Sequence, residues 1–111
     1  MDARIILGRI LQRFIDTKVS KVEGCNQFGF VELTNSYVMV TRENGQDTKV
    51  FFEKLLIGIE AYKHNPELYK AGPTKLRDFG LTHITSPIYS LLHLLPQDIY
   101  HNEPIITRKL S

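Results

Sequence analysis

The chain holds a single cysteine, Cys25, and no tryptophan. One cysteine excludes an intramolecular disulfide framework, and no Asn-x-Ser/Thr sequon points to a glycosylated, secreted protein. Long apolar runs are missing too. Arg9, Gln12 and Arg13 interrupt the apolar residues of the first fifteen positions, so neither a signal-peptide core nor a membrane-crossing stretch is present there. We therefore expect a reducing, cytoplasmic setting. An excess of one charge sign is likewise absent: 14 Lys and Arg oppose 12 Asp and Glu, a net +2 that does not by itself announce a nucleic-acid binder. With 42% hydrophobic and 23% charged residues, composition excludes collagen-like, disulfide-rich and wholly disordered chains. At 111 residues we expect a single globular domain, residues 97–111 being read as an extended or mobile tail.

What is present is amphipathic patterning. Ile6, Leu7, Ile10, Leu11, Phe14 and Ile15 fall in one arc at helical spacing, with Arg9, Gln12, Arg13 and Asp16 opposite. This predicts a helix from about Asp2 to Lys18, capped by Asp2. A basic amphipathic helix also occurs in presequences and at membrane surfaces, but a core-facing helix accounts for the same pattern. Ile5 alone breaks the arc, on the polar side.

From Phe28 the period changes. Phe28–Thr34, Tyr37–Arg42 and Thr48–Phe52 are rich in β-branched and aromatic residues, so we expect a three-stranded antiparallel meander. Its turns are Thr34-Asn35-Ser36 and a hairpin at Asn44-Gly45, where glycine tolerates positive φ. Helical spacing resumes from Phe51 to His64, placing Phe51, Phe52, Leu55, Leu56, Ile59 and Tyr62 on one face, and Asn65-Pro66 ends it. Gly72-Pro73 opens a short helix through Phe79 that Gly80 closes. A last helix is expected over Pro87–Leu95, burying Ile88, Leu91, Leu92 and Leu95, with Tyr89, Ser90 and His93 outward. The tail carries Pro104 and the apolar pair Ile105-Ile106. The fold class is α+β: a meander packed by an N-terminal and a second amphipathic helix, with a helical C-terminal third.

The chemistry-bearing motifs are few. His64, His83, His93 and His101 show no His-Glu-x-x-His spacing, and no cysteine pair exists, so no metal is called for. Phosphate-loop, dinucleotide-binding and nucleophile-elbow glycine patterns are all absent, and no cofactor is implied. Glu43, Asp47, Glu53 and Glu60 read as turn and solvated-helix carboxylates rather than a paired acid and base. Acidic groups near Lys75, Arg77 and His83 could serve a nuclease, but nothing sets their spacing. A catalytic role for Cys25, or for Tyr89 with His93, lacks the orienting third group such chemistry requires. An enzyme is thus the third reading, without a constellation to prompt it.

The distinctive stretch runs from Lys70 to Tyr89 as helix, break, helix. Lys70, Lys75 and Arg77 precede the break, and the hydroxyls of Thr82, Thr85 and Ser86 stand at the mouth of the next helix. Helix N-terminal N–H groups favour an anion, and these side chains supply further donors. The bland counterpart is that Ser86 caps its helix and Pro87 sets the first turn. The connection from Gly80 to Thr85 exceeds the about 3 to 4 residues of a helix-turn-helix, and the following helix lacks Arg, Lys, Asn and Gln, which argues for phosphate contact over base reading. A winged-helix order fits no better, since the hairpin comes before the helices.

The leading expectation is a non-enzymatic nucleic-acid-binding module. Lys70, Lys75, Arg77, Thr82, Thr85 and Ser86 would hold the phosphate backbone, with Arg42 and Asn44 at the hairpin as secondary contacts. The alternative is a protein-interaction or assembly module that engages a partner or a second copy of itself through Ile5, Ile105-Ile106 and an edge strand.

Overall fold

The computed structural model describes residues 1–101, so the Ile105-Ile106 pair lies outside the described residues. The first helix, α1, spans Ala3–Thr17, and Asp2 caps it by accepting from the Arg4 N–H at 2.8 Å. Ile6, Leu7, Ile10 and Phe14 form its buried stripe. Lys18 ends it in the left-handed region, φ 66°, donating its N–H to the Phe14 carbonyl. That reversal feeds the chain directly into a strand.

The sheet has four strands rather than the expected three, in the antiparallel order β1 (Val19–Lys21), β2 (Gln27–Leu33), β3 (Tyr37–Thr41), β4 (Asp47–Phe51). The additional strand, β1, is three residues long and inverts the usual polarity: Val19 and Lys21 are exposed while Ser20 between them is buried. A period-two search for apolar residues facing inward passes over such a segment. Phe28, Val38, Val40 and Val50 face the core from the longer strands, and a bulge between Phe30 and Glu32 shifts the β2–β3 register. The Asn44-Gly45 hairpin forms as expected: Gly45 has φ 88°, and the Arg42 N–H donates to the Gln46 carbonyl across the turn.

Helix α2 (Phe52–His64) follows β4 without a loop and buries Leu55, Gly58, Ile59, Ala61 and Tyr62. Phe51, expected on that inner face, closes β4 instead and is exposed. Two 3-10 segments come next, Pro66–Lys70 and Pro73–Phe79, the second ending at Gly80 with φ 81°.

Helix α3 runs over Thr85–Leu92, two residues earlier at its start and three at its end than the sequence pattern implies. It is no appendage. The helix packs against α1, α2, β1, β2 and the second 3-10 segment, and Ile88, Leu91 and Leu92 have no exposed surface. Each such side chain contributes about 1.5–3 kcal/mol by leaving water. Tyr89 and Ser90, expected to point outward, are buried as well. Ser90 is compatible with that position because Ser20 meets it: the Ser20 hydroxyl lies 2.9 Å from the Ser90 carbonyl and 2.6 Å from the Ser90 hydroxyl. If Ser20 donates to the carbonyl, its one proton is used, so the Ser90 hydroxyl donates to Ser20 and neither buried group lacks a partner. The segment from Gln97 does not begin as extended chain: Asp98–His101 form a short helix, α4, whose Tyr100 is buried and donates to the Leu92 carbonyl.

Candidate nucleic-acid interface

The second 3-10 segment is pinned by two side chains. Leu76 and Leu81 are buried, and the Leu81 N–H points to the Leu76 carbonyl at 3.4 Å. Around them, Lys75 and Arg77 are exposed, as is Lys70 at the end of the preceding 3-10 segment. None of the three cations forms an ion pair among the described residues. Lys75 shares a depression with Glu67 and Asp78, which tempers the positive field on that side.

The connection to α3 is held by the hairpin. His83 adopts φ 70°, an unusual conformation for a residue with a side chain, and its carbonyl accepts from Arg42 Nη2 at 3.3 Å. Arg42 also donates from Nε to Thr48 Oγ1 at 2.8 Å and lies 5.9 Å from the Phe28 ring centre. Its guanidinium is thus engaged in anchoring the loop to the sheet. Asn44 uses its side-chain oxygen within the turn, accepting from the Gln46 N–H at 3.0 Å.

Thr82 is exposed, whereas Thr85 and Ser86 are half-buried. Ile84 occupies the cap position of α3, and no side chain caps the helix. Ser86 therefore does not play the capping part its residue type predicts; it lies at the second helical position, inside the first turn. The structure brings Arg42 to the His83 carbonyl, in the loop that precedes α3. No hydrogen bond or ion pair among the described residues ties Lys70, Lys75 or Arg77 to Thr85 or Ser86.

At the other end of α3 sits a cluster that residue-type reasoning missed. His93, expected on the exposed side, is half-buried between the rings of Tyr69 and Tyr89, with centroids 4.0 and 4.2 Å away. Its Nδ1 lies 2.7 Å from the Tyr89 carbonyl and its Nε2 2.7 Å from the Tyr69 carbonyl. Both contacts are hydrogen bonds when both ring nitrogens carry protons. The available signal was the concentration of Tyr62, Tyr69, Tyr89 and Tyr100 after the sheet, too many aromatics for one solvated face.

Burial pushes the hydroxyls of Tyr62, Tyr69, Tyr89 and Tyr100 above the ordinary tyrosine range, with neighbouring tyrosines adding to the shift at Tyr62, Tyr69 and Tyr100. Below pH about 10 folded and unfolded chains both keep these protons, so the contribution is intact. Above it the unfolded chain ionises first, and stability falls as pH rises. We expect tyrosinate absorbance at pH about 11 to stay well below that of the urea-unfolded chain and to appear together with loss of structure in an alkaline titration. Equal absorbance in the two states while circular dichroism stays native would contradict the buried cluster.

Comparison with protein-family models, curated proteins and solved structures finds no match. Among the described residues, no three His, Cys, Asp or Glu side chains are placed to hold a metal ion, and no helix is long and apolar enough to cross a membrane.

Proposed function

We propose that the chain is a small nucleic-acid-binding module that grips phosphate rather than reading bases. The observation that carries this reading is the uncapped first turn of α3, with Thr85 and Ser86 in it and the exposed Thr82 just before it. N–H groups left open at a helix start attract an anion, and hydroxyls beside them are natural phosphate donors. Lys75 and Arg77, exposed on a segment packed against the same helix, supply charge. Lys70 extends it along the chain. Arg42 acts as a positioning residue through the His83 carbonyl, and Asn44 contributes its remaining amide donor at the hairpin tip.

The inward orientation of Ser90 and Tyr89 removes side chains that could reach a base edge from α3, which favours sequence-tolerant contact. Fluorescence anisotropy with mixed DNA and RNA oligonucleotides at low salt tests the proposal. Affinity should fall steeply with salt, and the Lys75→Glu, Arg77→Glu double variant should weaken binding at least about tenfold and flatten the log–log salt slope by about two. Absence of binding at low salt, or a double variant that binds like the parent, would sink it.

A further inference from the structure

Helices α1 and α2 lie side by side and leave an outward surface. On α1 it shows Arg4, Ile5, Gly8 and Arg9, all exposed, with Ile5 at 53% the most exposed large apolar side chain among the described residues; Arg13, further along, is turned to the Leu94 carbonyl. On α2 it shows Glu53, Ile57 and Glu60 exposed, with Leu56 half-buried between them. Two adjoining depressions share Leu56. One, about 520 Å³, is an apolar trough walled by Leu56, Ile57, Ala61 and Phe79 with Glu60 and His64 on its rim. The other brings Arg4 of α1 beside Phe52 and Glu53 of α2, so the two helices start at the same end of the face.

We infer that this surface is the interface of a twofold homodimer, in which α1 of each copy lies along α2 of the other. Three features point to a second copy of this chain. The signs are complementary at the positions that face outward: α1 offers Arg4 and Arg9, and α2 offers Glu53 and Glu60. The spacing also matches. Ile5 and Arg9 are four residues apart on α1, as Leu56 and Glu60 are on α2, so a parallel α1 seats Ile5 in the trough with Arg9 one turn on beside Glu60. Finally, Gly8 faces open space between Ile5 and Arg9, and its missing side chain lets the helices approach closely. A twofold axis parallel to the helices makes both contacts at once, each reciprocal, as an isologous interface requires. Glu60 has loose neighbours within its own chain, Lys63 at 4.0 Å and His64 at 3.7 Å, and an incoming arginine competes with them readily.

Sedimentation velocity of the full chain from about 1 to about 200 µM tests the inference. A concentration-dependent dimer is expected. Ile5→Glu should abolish it, and Arg9→Glu or Glu60→Arg alone should weaken it at least about tenfold by setting like charges opposite each other. An equimolar mixture of the two single charge variants should recover a heterodimer, because each mixed contact regains opposite signs. All these positions are exposed, and circular dichroism of each variant establishes that it folds. A monomer across the whole range overturns the inference, as does a dimer that survives Ile5→Glu or a charge-variant mixture that stays monomeric.

Discussion

Replacing Phe14 by alanine should destabilise the protein by about 3–5 kcal/mol, the range for truncating a fully buried phenylalanine. Phe14 has no exposed surface, and its ring meets Phe30 edge-on with centroids 5.5 Å apart at 85°. The same contact anchors the α1-to-β1 reversal, because the Phe30 N–H donates to the Lys18 carbonyl at 2.9 Å, four residues beyond Phe14. Truncation removes apolar burial and an aromatic pair together, and the backbone bond nearby limits how far the site can collapse. Urea denaturation monitored by circular dichroism gives the number. Phe14→Leu, which keeps most of the volume, should cost markedly less. A loss below about 1 kcal/mol for the alanine variant would contradict the packing of α1 on the sheet.

The second large effect is expected at Gly58, where α2 and α3 come closest. A Cβ placed there would lie 3.2 Å from both Ile88 Cγ2 and Leu92 Cδ1, with Leu81 Cδ1 at 3.8 Å. Alanine sets a gain in helix propensity of about 1 kcal/mol against a squeeze on two side-chain ends, so its net effect is small. Valine adds two further methyl groups with no space to enter, and should cost about 3 kcal/mol. Ile88→Ala is itself destabilising, but in the Gly58→Val background it should cost less than alone, since the cavity it opens receives the valine. A double-mutant cycle by chemical denaturation reads this coupling, and additive losses would mean that the two helices do not meet there.

Much of the scaffold was legible because its periodicity is clean. The stripe of Ile6, Ile10 and Phe14, the Asn44-Gly45 turn, and the Gly72-Pro73 start with its Gly80 stop each join a residue type to one local geometry. The α+β class follows from those elements. The parts that escaped depend on partners distant in the chain. Ser20, Ser90 and His93 carry polar side chains, so residue type places them in water. Each is held inside by a group that sequence cannot bring near: Ser90 for Ser20, 70 positions on, and the Tyr69 carbonyl for His93, 24 positions back. For this reason β1 and the burial of Tyr89 and Ser90 on α3 were not visible.

The candidate interface divides the same way. Exposure of Lys70, Lys75, Arg77 and Thr82 agrees with their charge and polarity. The anchoring part of Arg42 could not be read, because the carbonyl it serves belongs to His83, 41 residues later. Nor could the absent cap of α3: Ser86 is a good capping residue by type, but the helix begins one position before it.

The central place of α3 has a consequence for biosynthesis. Residues 1–64 make α1, the whole sheet and α2, yet the helix these elements enclose is specified by residues 85–92. A nascent chain paused on the ribosome before Thr85 has emerged therefore lacks the helix on which α1, α2, β1 and β2 pack, and their inner faces stay wetted and open to chaperones. Completion waits for one eight-residue stretch translated late, whose contacts with β1 span some seventy positions, and such long loop closures slow the final collapse.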